Sequence, residues 1–107
     1  MSDLLRGRVY RAQIPGIQSE KCFVVVSNNA RNRSLNSALA VRLTTSNKPS
    51  IASIVEIPSD EAMGGGRAVC DDIVELYEED VTADVGAMSP RAMAAIGEGL
   101  KAALGLR

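Results

Sequence analysis

Three consecutive valines, Val24–Val26, inside the stretch KCFVVVSNNARNR (residues 21 to 33) constrain this chain more than any other feature. An unbroken apolar run fills both faces of a strand, so its strand must be central, with neighbours on both sides and cover on both faces. The run begins beside Lys21 and passes without a spacer into Ser27, Asn28 and Asn29, then to Arg31 and Arg33. A stiff central strand thus carries a lysine at one end and a polar, cationic turn at the other. For the fold alone, a valine core followed by a capped, soluble turn suffices. A functional site would use the same rigidity to hold its loops.

The flanking segments supply the neighbours. GRVYRAQI alternates imperfectly around Tyr10 and reads as a strand of about six residues, ended by the turn Pro15-Gly16. CFVVVS is the second strand. NNARNRSLNS reads as a loop with room for one helical turn, its asparagines serving as caps. ALAVRLTT is the third strand, SNKPS a loop, and IASIVEIP a fourth strand closed by Pro58. SDEAMGGG is a flexible connection; without GxxxxGKS/T its glycines do not make a phosphate loop. RAVCDDIVELY gives two short strands or one bent strand, broken at Asp71-Asp72, and EEDVTADVGAM a helical turn and a short strand ending near Met88.

The last segment is the clearest. Ser89 is placed as N-cap and Pro90 at the first helical position. Met93, Ile96, Leu100 and Leu104 draw one apolar stripe, and Gly105 stops the helix. The expectation is one domain over 1–107, strand-rich over 6–88 with a C-terminal helix over 89–104. Its class is mainly β, an antiparallel barrel or strongly bent sheet of five to seven short strands.

Composition narrows the chemistry. The net charge of −1 hides an asymmetry: residues 1–50 hold eight Lys/Arg against Asp3 and Glu20, while residues 51–107 hold four against eleven acids. Either the halves intermix on folding, or one cationic surface is available to phosphate. No apolar run approaches the roughly 20 residues that span a bilayer. Arg6 and Arg8 interrupt any signal-peptide core, so no membrane association and a cytoplasmic location are expected. The chain has no histidine, and Cys22 and Cys70 lack CxxC spacing, which argues against a zinc site; buried thiols fit better than a disulfide. No cofactor is implied. Asp71 and Asp72, as strand neighbours, point to opposite faces and do not share a magnesium ion.

What remains is Glu20-Lys21 at the entry to one strand and Thr44-Thr45-Ser46 at the exit of another. Antiparallel neighbours bring those points to the same end of a sheet. A cation, a carboxylate and hydroxyls along one edge suit a phosphodiester: the cation balances charge growing on phosphate, and the carboxylate accepts a proton. The plainer alternative is a solvated Glu-Lys pair beside hydroxyl-rich turns.

In this order, LLRGRVYRAQI, VVVSNNARNRSL, LAVRLTTS, AVCDDIVELYEEDV and VGAMSPRAMAAIGEGLKAALGL resemble the MazF/PemK toxins, ribonucleases of bacterial toxin–antitoxin pairs. The resemblance covers nearly the whole chain. It implies an SH3-like, strongly bent barrel and a homodimer. It also implies metal-free cleavage of single-stranded RNA, in which a ribose 2′-hydroxyl attacks its own phosphate, and a cognate antitoxin that lays an acidic segment over the groove. Carried over residue by residue, Thr44 matches the family's active-site Thr/Ser, with Thr45 beside it as an auxiliary RNA contact. Glu20 matches the carboxylate of the first loop, and Asp71 the Asp of a Cys-Asp pair. Asn28 and Arg33 match a turn that supports the site, and Arg31 and Arg33 are candidate phosphate contacts. Lys21 falls where the family has its catalytic arginine, and keeps one charge but not the planar, bidentate grip. Arg67 or Arg42 is then an auxiliary cation. Phe23 and Tyr77 read as core, leaving Tyr10 for stacking. The alternative on the same fold is a CcdB-like toxin that binds gyrase through its terminal helix and cuts nothing, or a degenerate partner-binding member; otherwise Leu104 and Leu106 belong to the core or the dimer.

Overall fold

The computed structural model describes residues 3–62 and 64–107. Its elements are β1 (Arg8–Ala12), β2 (Lys21–Val25), α1 (Asn29–Leu35), β3 (Ala38–Thr44), β4 (Ile54–Glu56), β5 (Arg67–Leu76), β6 (Val81–Ala87) and α2 (Pro90–Leu104), with a 3₁₀ turn at Glu78–Asp80. The strands form one antiparallel sheet in the order β4-β5-β3-β2-β1-β6. β2 is interior, as its valines require. The sheet remains open among the described residues, with β4 and β6 as edges, so of the two expected forms the bent sheet is the one observed.

Alternation along the interior strands builds two cores. Val9, Cys22, Val24, Val41 and Leu43 face one side, where Ala92, Met93 and Ile96 of α2 cover them. Tyr10, Ala12, Phe23, Val25, Ala38 and Ala40 face the other and pack with Leu4 and Leu76. β5 serves both cores through a bulge. Val41 pairs with Ile73 but Arg42 pairs with Val69, so Cys70, Asp71 and Asp72 have no partner on β3. An odd number of extra residues flips the faces. Ala68 and Cys70 therefore enter the first core, and Leu76 the second. The bulge is held by a Cys70 N–H donated to the Ser53 carbonyl (3.0 Å) and a Ser53 hydroxyl donated to Asp71 Oδ2 (2.7 Å). The break expected at Asp71-Asp72 is thus a bend in a single strand.

Three local expectations change. The polar segment after β2 is a seven-residue helix: Asn28 Oδ1 accepts from the Arg31 N–H at 2.8 Å, and Asn36 ends α1 in the left-handed region at φ 57°. Asn32, fully buried, donates through Nδ2 to the carbonyls of Ser27 (3.1 Å) and Leu4 (3.4 Å), tying α1 to the N-terminal segment. The fourth strand shrinks to Ile54–Glu56 because the chain turns before it, the Ile54 N–H donating to the Ile51 carbonyl at 3.0 Å. The tyrosines exchange roles: Tyr10 is buried, its hydroxyl accepting from the Leu5 N–H at 3.2 Å, while Tyr77 is 40% exposed.

α2 is capped as the sequence indicates: Ser89 Oγ accepts from the Ala92 N–H (3.1 Å), and Gly105 adopts φ 69°. Gly99 faces the sheet; a Cβ there would lie 2.5 Å from Val55 Cγ2 and 2.8 Å from Cys70 Sγ. Leu104 and Leu106, 58% and 61% exposed, are outside this chain's core. No helix among the described residues is long and apolar enough to cross a membrane.

Glu61, on the connection leaving edge strand β4, reaches the residue that follows edge strand β6 by two positions. Its carboxylate accepts the Ser89 N–H at 2.8 Å and the Ser89 hydroxyl. Those bonds hold the Glu61 carboxyl below its ordinary value. Ser89→Ala removes the helix cap and one arm of this clasp together, and should lower unfolding free energy by about 1–2 kcal/mol in urea titration. Because the folded Glu61 binds its proton more weakly than the unfolded one, its stabilising effect is complete above the unfolded pKa. That effect fades as pH falls through the folded value. Glu61→Gln should therefore lose less melting temperature than the parent between pH 6 and pH 3.5.

Candidate active site

The register of β2 and β3 pairs Cys22 with Leu43, and one further step sets Lys21 opposite Thr44. Ala12 pairs with Lys21, Thr44 with Arg67, and Arg67 with Glu56. A single transverse row thus crosses five strands and carries Lys21, Thr44, Arg67 and Glu56. Where the strands end, Lys21, Thr44, Glu20, Thr45 and Ser46 line one groove of about 440 Å³. Cys22 and Leu43 form its floor, and Arg11 of β1, paired with Cys22, closes its side.

The electrostatics of this groove follow from which charges are already paired. Arg8 meets Asp84 at 2.9 Å, Arg67 meets Glu56 at 2.9 Å, and Arg42 Nε lies 3.2 Å from Asp72 Oδ2 without hydrogen-bond alignment. Among the described residues, the charged groups of Arg11, Lys21 and Glu20 have no ion-pair partner. Two unneutralised cations and one carboxylate belong to residues lining the same groove. Thr44 Oγ1 accepts the Ser46 N–H at 3.1 Å, which leaves its own proton to donate into the groove. An anionic ligand is favoured, and no desolvated ion pair must first be broken.

The remaining sequence-selected residues lie elsewhere. Asn28, Arg31 and Arg33 belong to α1 and its cap, at the opposite end of β2 from Lys21, four strand steps or on the order of 13 Å away. Arg31 donates to the Ser37 carbonyl at 2.8 Å and lies 3.9 Å from Glu75, which also accepts the hydroxyls of Ser37 (2.7 Å) and Tyr77 (2.8 Å). These bonds pull the Glu75 carboxyl below its ordinary value and fasten α1 to β5. Asp71 is engaged by Ser53, and Arg42 sits beside Asp72, on the bulge rather than in the groove. Arg67 donates to the Ser46 carbonyl at 3.3 Å and lines a second, smaller cavity. Both cysteines are free and buried, and burial, then the neighbouring Asp71, pushes the Cys70 thiol up to about 11.

Arg11 is the groove residue that reading the sequence missed. Its signal was present: Arg11 shares parity with core-facing Val9, so a charge on that face must emerge where the core ends. In the sequence alone it is one of the imperfections in the alternation of GRVYRAQI.

A mycobacterial endoribonuclease solved in complex with its cognate antitoxin superposes with a TM-score of 0.86 at 35% identity, covering 96% of each chain. The MazE–MazF complex of Deinococcus radiodurans shares the fold at a TM-score of 0.77 and 17% identity, over 96% of each chain. Residues 5–104 match the family described as PemK-like, MazF-like toxin of type II toxin-antitoxin system, and the chain belongs to that family. It is a homologue of the MazF endoribonucleases. It is 37% identical over 106 residues to endoribonuclease MazF4 of Mycobacterium tuberculosis, spanning 99% of this chain and 97% of that one. Endoribonuclease MazF1 of Mycobacterium bovis matches to the same extent.

The α1 arginines separate by partner. Arg31→Ala leaves the Ser37 carbonyl without its charged donor and should lower stability by about 1.5–3 kcal/mol in a denaturant titration. Arg33→Ala, on an exposed side chain, should stay within about 0.5 kcal/mol.

Proposed function

We propose that this toxin cleaves single-stranded RNA, cytoplasmic mRNA included, in the groove between Lys21 and Thr44, by attack of a ribose 2′-hydroxyl on the adjacent phosphate. The single observation that carries this reading is the register that sets Lys21 opposite Thr44 beside unpaired Arg11 and Glu20. Glu20 takes the 2′-hydroxyl proton as the 2′-oxygen–phosphorus bond forms. The bond to the 5′-oxygen breaks, and the Lys21 ammonium returns a proton to that oxygen. The products are a 2′,3′-cyclic phosphate and a 5′-hydroxyl end. Arg11 and the Thr44 hydroxyl hold the non-bridging oxygens, where charge accumulates at the transition state. The residues named here supply general acid, general base and charge stabilisation, so the scheme runs without a metal.

A guanidinium on β1 also answers the lysine at position 21. Lys21 provides a compact charge and a transferable proton, and Arg11 the fixed, planar donor fork. The toxin works as a homodimer, with the exposed Leu104 and Leu106 as apolar surface available for a second copy. Its antitoxin lays an acidic segment over the cationic groove.

Cleavage of a single-stranded RNA in EDTA tests the reading directly. Activity should persist, and Lys21→Ala and Thr44→Ala should each lower kcat on the order of 10²–10³-fold. Arg11→Ala should lower the rate and flatten the dependence of RNA affinity on salt by about one charge. Unchanged rates in the first two variants would falsify the assignment.

A further inference from the structure

Beside the groove lies a second cavity of about 140 Å³, lined by Lys48, Pro49, Ser50, Ile54, Glu56 and Arg67. The two spaces share a wall. Arg67 lines the small cavity and donates to the Ser46 carbonyl, while Ser46 lines the groove. A polymer that extends from the groove past Ser46 would reach the cavity. Its size is well below the roughly 300 Å³ at which pockets for drug-sized ligands begin, so it suits a fragment such as one planar ring.

Its chemistry differs from that of the groove. Glu56, its side chain 75% exposed, lines the cavity with a carboxylate, which repels phosphate and accepts N–H donors. Arg67 Nε lies 2.9 Å from Glu56 Oε2, an ion pair that tethers the carboxylate through one oxygen and leaves Oε1 for a ligand. Pro49 and Ile54 supply apolar surface to a flat ring. Lys48, half-buried and without an ion-pair partner among the described residues, offers a cation to the phosphate joining that ring to the strand. Of the four RNA bases, guanine alone presents two adjacent donors, N1–H and the 2-amino group, to a carboxylate. In single-stranded RNA that edge is unpaired and can be turned into a pocket.

We propose that the Glu56–Arg67 cavity is a base subsite that takes a guanine flanking the scissile phosphate and sets sequence preference. This rests on the groove being the RNA site. Glu56 reads the base edge, Arg67 holds Glu56 in register, and Lys48 holds the neighbouring phosphate.

The test separates binding from cleavage. Uncleavable 2′-O-methyl oligonucleotides are varied one position at a time through guanine, inosine and adenine, and their affinities measured by fluorescence anisotropy. At one position the parent protein should bind guanine on the order of tenfold tighter than adenine, with inosine, which lacks the 2-amino group, between them. Glu56→Gln and Glu56→Ala should bring that ratio within about threefold. Parent protein blind to the base at every position would overturn the subsite, and so would an undiminished guanine preference in both variants. The inosine comparison needs no variant and so is independent of any folding defect. A protein that reads guanine yet cuts no cleavable RNA would overturn the nuclease reading and leave the subsite standing.

Discussion

The three residues by which β5 outruns β3 decide where that strand's side chains finish. With period-two alternation, a strand of ten residues feeds one core through its even positions and solvent through its odd ones. Inserting Cys70–Asp72 moves the even positions from one face of the sheet to the other halfway along, so Ala68 and Cys70 lie under α2 while Leu76 reaches the opposite core. A bulge of this kind bends its strand, and α2 packs against both β5 and β4. Each insertion residue has its own restraint: Cys70 by burial and by Ser53, Asp71 by Ser53, Asp72 by the nearby Arg42. Acids that resemble a metal pair in the sequence therefore brace a corner.

Upstream of the corner the register is regular, and that regularity assembles the site. Lys21, Thr44, Arg67 and Glu56 come from four strands and from positions up to 46 residues apart, yet antiparallel pairing aligns them in one row. Pairing also divides the charges. Arg67 is ion-paired with Glu56, whereas Lys21 and Arg11 have no ion-pair partner among the described residues. The excess of cations in the first half of the chain is only partly a ligand surface, since Arg8, Arg31 and Arg42 are engaged by acids from the second half.

What the sequence made legible was whatever depends on neighbours in the chain or on simple periodicity. The central valine strand, the Ser89 cap, the Gly105 stop and the meeting of strand ends at Lys21 and Thr44 were all readable. α1 was underestimated because Asn and Ser have low intrinsic helix propensity; its stability comes from Asn32, bonded to Leu4 and Ser27, and from Arg31, contacts invisible to local pattern. β4 was overextended because apolar content was read as strand, while a turn at Ile51–Ile54 consumed half of it. Tyr10 and Tyr77 exchanged places for a related reason: burial of Tyr10 depends on the N-terminal segment folding back over β1, which no window of sequence displays.

Gly99 shows how little slack the scaffold leaves around its edge strand. α2 touches β4 at a point where not even a methyl group fits, with Val55 on one side and Cys70 on the other. Val55 precedes Glu56 in the chain, so the helix acts as a rigid stop behind the wall of the smaller cavity. A side chain at position 99 would therefore press on the very strand that carries Glu56.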